Sequence, residues 1–138
     1  QAAMGLLQLK HIDKAIEMRK QISLRYDEGL KMIPGLTKLC KDSNINSNYS
    51  YYAICINKNC KLTRDEVQRL LAGEQIYTRK YFYPALSDFD HYIASAQSSG
   101  FGLTKARKLS REVLCLPIYP DLSMSECDQI ISILKENL

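Results

Sequence analysis

Apolar residues recur at steps of three and four from the start of the chain. Ala2, Gly5, Leu9, Ile12 and Ile16 fall on one helical face, and Met4, Leu7, Ala15, Met18 and Ile22 form a second strip. The pattern predicts one long helix over residues 2 to about 30, stopped by Pro34-Gly35. A helix that is apolar on two sides needs cover on two sides. It is either a central core helix or a bridge to a further domain. Residues 31–48 read as a loop. From Tyr49 to Asn57 the period changes to two: Tyr52, Ile54 and Ile56 point one way, and Tyr51, Ala53 and Cys55 the other. Both faces are apolar, which predicts a strand central in its sheet, with Asn57-Lys-Asn59 as a turn.

Thr63-Arg-Asp-Glu66 has the spacing of a capping box, in which the Thr oxygen and the Glu carboxylate satisfy free backbone N–H groups. Val67, Leu70 and Leu71 follow at helical spacing, and Gly73 is the expected stop. Ile76 to Tyr83 reads as a second strand ended by Pro84. Residues 84–101 read as irregular, with Ser98-Ser-Gly100 as a flexible spot. A short helix over Thr104–Arg111 and a third strand over Val113–Leu116 follow. Ser123-Met-Ser-Glu126 is a second capping box. It opens a final helix whose buried stripe is Cys127, Ile130, Ile131, Leu134 and Leu138. The expected fold is α/β (α+β): a small open sheet of about three strands packed with helices and preceded by the long helix.

Composition narrows the class. The 138 residues are 46% apolar and 25% charged, which suits one globular domain and excludes a disordered tail. No apolar run is long enough for a transmembrane helix. Nineteen basic against fifteen acidic residues leave +4, compatible with an anionic ligand and weak as a case for nucleic acid. The five cysteines are irregularly spaced, and no C-x-x-C occurs. This predicts neither a disulfide framework nor a zinc site, and fits a reducing cytoplasm. Cys55, Cys115 and Cys127 lie in apolar runs, where free Cys acts as a small hydrophobe.

The segment Ile76-Tyr-Thr-Arg-Lys-Tyr-Phe-Tyr-Pro84 carries the most chemistry. As a strand it would place Tyr77, Arg79, Tyr81 and Tyr83 on one face, and Thr78, Lys80 and Phe82 on the other. Cations set among phenols suit a phosphorylated, aromatic or sugar ligand. The alternative is an edge strand whose rings pack and whose Arg79 and Lys80 reach water. Gly100-Phe101-Gly102 lacks a preceding strand and reads as a loop. His11 sits on a helix flank. His91 follows Asp88 and Asp90, where it is either a loop residue or a site residue. No catalytic triad and no acid–base carboxylate pair stands out.

In order along the chain, several motifs resemble one family. They are Gln1-Ala-Ala-Met-Gly-Leu-Leu-Gln-Leu9, Arg19 with Tyr26 and Leu30, Thr63-Arg-Asp-Glu66, the Ile76–Pro84 run, and Leu109-Ser followed by Val113-Leu-Cys-Leu-Pro-Ile-Tyr-Pro-Asp-Leu-Ser123. The family is the DegT/DnrJ/StrS-type sugar aminotransferases, pyridoxal-phosphate enzymes of fold type I, and the Arg-Lys-Tyr-Phe-Tyr-Pro form is most like the branch acting on dTDP-linked keto sugars. The resemblance implies a C-terminal domain: a linking helix over 1–33, a small α/β domain over 34–138, and a large cofactor domain upstream. The family's cofactor lysine motif has no match among the lysines here. The resemblance therefore implies that the parent enzyme moves an amino group from glutamate to a nucleotide-linked keto sugar, and that this piece alone holds no cofactor and has no activity. It implies a homodimeric, cytoplasmic parent whose sugar nucleotide approaches the Arg79 to Pro84 segment, with Arg79, Lys80, Tyr81 and Tyr83 as candidate substrate-binding residues. The residues alone also allow a non-catalytic binding or dimerisation module. A nucleic-acid-binding module fits less well, for the sheet lacks the aromatic signature of RNA-recognition strands.

Overall fold

The computed structural model describes residues 1–39, 45–93 and 103–138. Cys40, part of the loop expected over 31–48, Ser98-Ser-Gly100 and the Gly100-Phe101-Gly102 run fall wholly or partly outside the described residues.

Three antiparallel strands lie in the order β1 (Leu36–Lys38), β2 (Tyr52–Ile56), β3 (Val113–Leu116). The open mixed fold expected from the sequence is thus present, with β2 in the centre. Its register pairs Leu36 with Ile56, Ile54 with Leu114 and Tyr52 with Leu116, so these apolar residues share one face. That face is covered by α2 (Ile12–Leu30) and α5 (Met124–Asn137), which pack against each other. Helix α3 (Arg64–Gly73) contacts β3 and α5 and adds Val67 and Leu71 to the same core. Cys55, Val113 and Cys115 are buried on the opposite face, where α4 (Thr104–Glu112) lies against β2.

Both capping boxes form as expected: Thr63 and Ser123 each accept a bond from a backbone N–H at the third helical residue, and the Glu66 and Glu126 carboxylates bond back. Every residue of the expected final stripe, from Cys127 to Leu138, is buried. Tyr52, Ile54 and Ile56 are buried while Lys58 and Asn59 are exposed.

Four expectations are corrected. First, the long helix is two: α1 (Ala2–Leu9) and α2, separated at Lys10-His11 by two short i→i+3 bonds. No proline or glycine explains the break. Second, the 31–48 loop contains β1, whose three residues are too few to show alternation. Gly35, at φ +79°, turns the chain into it, and an added Cβ there would lie 2.5 Å from the Cys60 nitrogen. Third, residues 86–88 are a 3-10 turn and residues 90–93 are helical, within the stretch expected to be irregular.

The fourth correction concerns the tyrosine-rich segment. Residues 76–83 are not a strand; a single bridge joins Arg79 to Cys115 on the outer edge of β3. Gln75 and Phe82 adopt positive φ, 62° and 50°, and bend the chain at either end. The Thr78 carbonyl accepts from the Gln68 side chain instead of a neighbouring strand. A positive φ at Tyr49, 52°, likewise shortens β2 to begin at Tyr52.

Two outcomes follow from this packing. The α2–α5 contact is so close that a Cβ on Gly29 would lie 2.6 Å from the Ile131 side chain. Gly29→Ala should therefore destabilise the fold by about 1–3 kcal/mol in urea unfolding, and Ile131→Val should recover part of that loss. Burial, with a hydrogen bond to Glu112, pushes the Cys55 thiol up to about 11, and burial does the same for Cys127. Alkylation of Cys127 should be slow at neutral pH and rise about tenfold per pH unit toward pH 10. Fast labelling at pH 7, read by mass spectrometry, would contradict the buried placement.

Candidate functional site

The site is built on the edge of β3. Arg79 is fixed there by paired backbone bonds with Cys115, N–H to O at 3.1 Å and 2.8 Å. Its side chain is exposed, and among the described residues no carboxylate pairs with it. Lys80 turns the other way and donates to Asp65 Oδ1 at 2.8 Å. The Tyr83 ring lies beneath two cations, the Arg64 guanidinium at 4.6 Å and the Lys80 ammonium at 5.3 Å. Tyr81 sits against Phe82, with ring centroids 4.2 Å apart, and against Tyr51 of the β2 entry at 5.4 Å. The peptide bond between Tyr83 and Pro84 is cis.

Strict alternation is therefore broken. The sequence reading put Lys80 on the face opposite Tyr83, and Phe82 opposite Tyr81. The structure puts Lys80 over Tyr83 and Phe82 against Tyr81, because the left-handed turn at Phe82 reverses the sides. Of the four candidate residues, Arg79, Tyr81 and Tyr83 are exposed and Lys80 is half-buried against Asp65, and Tyr77 and Phe82 are the most open rings of the segment.

Three supporting residues were not singled out in the sequence. Arg64 is 3% exposed, a buried cation satisfied by Asp65 at 2.7 Å and by the Ser110 and Val113 carbonyls at 3.0 Å each. The sequence shows it only as the second residue of a capping box. Asp65 holds both Arg64 and Lys80, and its carboxyl lies below the usual range chiefly through the Lys80 bond. Tyr51 links the Arg79–Tyr83 segment to an open cleft of about 530 Å³ between α2 and the β1–β2 hairpin.

That cleft carries a second polar network. Lys38 donates to Asp27 at 2.8 Å and to Ser23 at 3.3 Å, and the Tyr52 hydroxyl donates to the other Asp27 oxygen at 2.8 Å. The Tyr52 ring packs at a tilt against Tyr26, with centroids 4.8 Å apart, and Tyr26 donates to the Pro117 carbonyl at 3.0 Å. Burial raises both phenols above their ordinary range, so they stay protonated donors.

His11 and His91 are both exposed. Asp88, three residues before His91, is tied to Arg107 at 2.7 Å. Among the described residues no three His, Cys, Asp or Glu side chains gather as a metal site. The described lysines that are not exposed are Lys20, Lys38 and Lys80, and each is paired with a carboxylate. None offers a free amine in a closed pocket, and Lys31, which lines the open cleft, is exposed, so no described lysine stands enclosed as a covalently held aldehyde cofactor requires.

The chain was compared with known proteins. It is 43% identical over 122 residues to a dTDP-4-amino-4,6-dideoxy-D-glucose transaminase of Escherichia coli, which covers 88% of this chain and 33% of that protein. The transaminase of the same name from Shigella dysenteriae is 34% identical over 98% of this chain and 36% of its own length. Among solved structures, the aminotransferase TlmJ of Streptoalloteichus hindustanus superposes with a TM-score of 0.82 at 27% identity, over 99% of this chain and 35% of that one. DesI, solved in the presence of its TDP-sugar product, superposes with a TM-score of 0.86 at 25% identity, over 98% of this chain and 34% of DesI. The chain thus spans about a third of the length of the relatives it matches. The model of one family matches residues 1–135, nearly the whole sequence, and the chain belongs to it: the DegT/DnrJ/EryC1/StrS aminotransferase family.

Proposed function

We propose that the chain is the C-terminal, small-domain part of a transaminase that passes an amino group from glutamate to a nucleotide-linked keto sugar, with dTDP as the nucleotide. In this reading the Arg79–Tyr83 segment is one wall of the sugar-nucleotide cleft. The observation that carries it is Arg79: a cation fixed by its backbone, exposed, and without a carboxylate partner among the described residues. The names of the E. coli and Shigella relatives support the choice of sugar and nucleotide.

The chain's residues would divide the work of binding. The Arg79 guanidinium, with its forked donors, suits diphosphate oxygens. Tyr81 and Tyr83 offer hydroxyls to the sugar, and the Tyr51–Tyr81–Phe82 rings offer apolar area that keeps water off one side of it. Lys80 is neutralised by Asp65, so its part is to hold Tyr83 rather than to meet the phosphate. Pyridoxal phosphate, which this family uses, supplies the electron sink for amino transfer. As the described residues do not fit it, the reading assigns its lysine and phosphate site to a large domain outside this chain.

Helix α1 suits the same arrangement. Met4, Leu6, Leu7 and Leu9 are between 56% and 66% exposed, and the helix buries none of its residues within this chain. We assign residues 1–33 as the linking helix, with α1 covered by the large domain, and residues 34–138 as the small domain. The whole enzyme is taken to be a cytoplasmic homodimer. The free thiols of Cys55, Cys60, Cys115 and Cys127 suit a reducing compartment, and no described helix is long and apolar enough to cross a membrane.

Steady-state kinetics of the full-length enzyme test the reading, with dTDP-4-keto-6-deoxy-D-glucose as amino acceptor. Loss of a charged hydrogen bond costs about 1.5–3 kcal/mol, so Arg79→Ala should raise the KM for the sugar nucleotide about ten- to a hundredfold. The glutamate half-reaction should hardly change, since it involves no nucleotide. Thermal stability should hold, because an exposed cation adds little to folding. A mutant that melts early with its kinetics intact would make Arg79 part of the fold or of an interface, and the reading would fail.

A further inference from the structure

One carboxylate oxygen on α3 holds two cations, and both cations lie on the same ring. Asp65 Oδ1 accepts from Arg64 Nε at 2.7 Å and from Lys80 Nζ at 2.8 Å. Tyr83 lies under both, at 4.6 Å and 5.3 Å. Arg64 is anchored in turn by two carbonyls at the α4–β3 junction, Ser110 and Val113. The segment that bears the candidate residues has only one backbone bridge to the sheet, at Arg79. Three residues beyond that bridge it takes a left-handed turn at Phe82. A ladder of strand bonds does not hold it there, so another device has to.

We propose that Arg64 and Asp65 are positioning residues that brace the Lys80–Tyr83 segment against the α3–β3 junction. Without Asp65, two positive charges would face one ring with no anion between them, and Lys80 would swing into water. The Tyr83 ring would lose one of its two cation contacts, each worth most where water is excluded. Arg64 contributes the rigid half of the brace, because a buried guanidinium with three bonded partners has few other places to go. Asp65 contributes the adjustable half, since its carboxylate is half exposed. The consequence is specific. With Lys80 engaged, Arg79 stands as the segment's cation for an anionic ligand, and Tyr83 keeps a fixed height beside it.

The proposal rests on the substrate-wall reading, so the test separates the two. The protein is the full-length, cofactor-loaded enzyme carrying 3-fluorotyrosine at position 83, in wild-type and Asp65→Asn forms. In the ligand-free enzyme, Asp65→Asn should shift and narrow the fluorine resonance, as a freed ring does. With dTDP-4-keto-6-deoxy-D-glucose as acceptor, the same change should raise KM about three- to tenfold and leave kcat within about twofold. Asp65→Glu, which keeps the charge, should recover part of the loss. In a Tyr83→Leu background, Asp65→Asn should have little further effect, because the ring it acts through is gone. An unmoved fluorine signal overturns the brace. So does a lower melting temperature with KM unchanged in Asp65→Asn while Arg79→Ala still raises KM, and in that case the wall reading stands. If Arg79→Ala leaves KM unchanged as well, the wall reading falls and the functional role of the brace falls with it, whatever the fluorine signal shows.

Discussion

Arg64 sets what the surrounding structure must do. A guanidinium taken out of water needs an anion and hydrogen-bond acceptors close by, or the fold gives way around it. This one finds Asp65 on its own helix, two carbonyls where α4 passes into β3, and the face of Tyr83. These four partners come from three places in the sequence. Meeting their needs at one point fixes the start of α3, the entry to β3 and the position of the tyrosine-rich segment together. The exposed chemistry at Arg79 and Tyr81 therefore stands on a buried polar joint as much as on the apolar core.

The core fixes the other side of the same surface. Helix α2 meets β2 through Tyr26, tilted against Tyr52, and both phenols are satisfied, one by the Pro117 carbonyl and one by Asp27. Asp27 also binds Lys38 on β1. Tyr51, one residue before β2, is turned out toward Tyr81 by the alternation that buries Tyr52. Packing inside the sheet thus places an aromatic ring at the rim of the candidate site. The chain links a hydrophobic pattern to the candidate surface through one strand position.

What could be read from the sequence was what depends on near neighbours. The capping boxes at Thr63 and Ser123 need only residues three apart, and both form as read. The stripe from Cys127 to Leu138 and the alternation from Tyr52 to Ile56 are repeats long enough to stand out. β1 was missed because Leu36-Thr-Lys38 is a single alternation. The tyrosine-rich segment was misread because Tyr77, Arg79, Tyr81 and Tyr83 alternate on paper, while positive φ at Gln75 and Phe82 ends any strand. Nothing in those two side chains announces that conformation. The candidate residues were legible by their chemistry and by family resemblance, but their partners were not. Arg64 meets Ser110 and Val113 across 46 and 49 residues, a distance no local pattern spans. The break at Lys10-His11 has no signal in the sequence.

The central claim is that the Arg79–Tyr83 segment faces the nucleotide end of a sugar-nucleotide substrate. A crystal structure of the full-length protein soaked with dTDP tests it most directly. The account predicts diphosphate oxygens within hydrogen-bond distance of the Arg79 guanidinium, with the Tyr81 and Tyr83 rings beside the space the sugar would fill. Well-ordered dTDP seated elsewhere, with the Arg79 side chain in solvent or against a partner subunit, would contradict it.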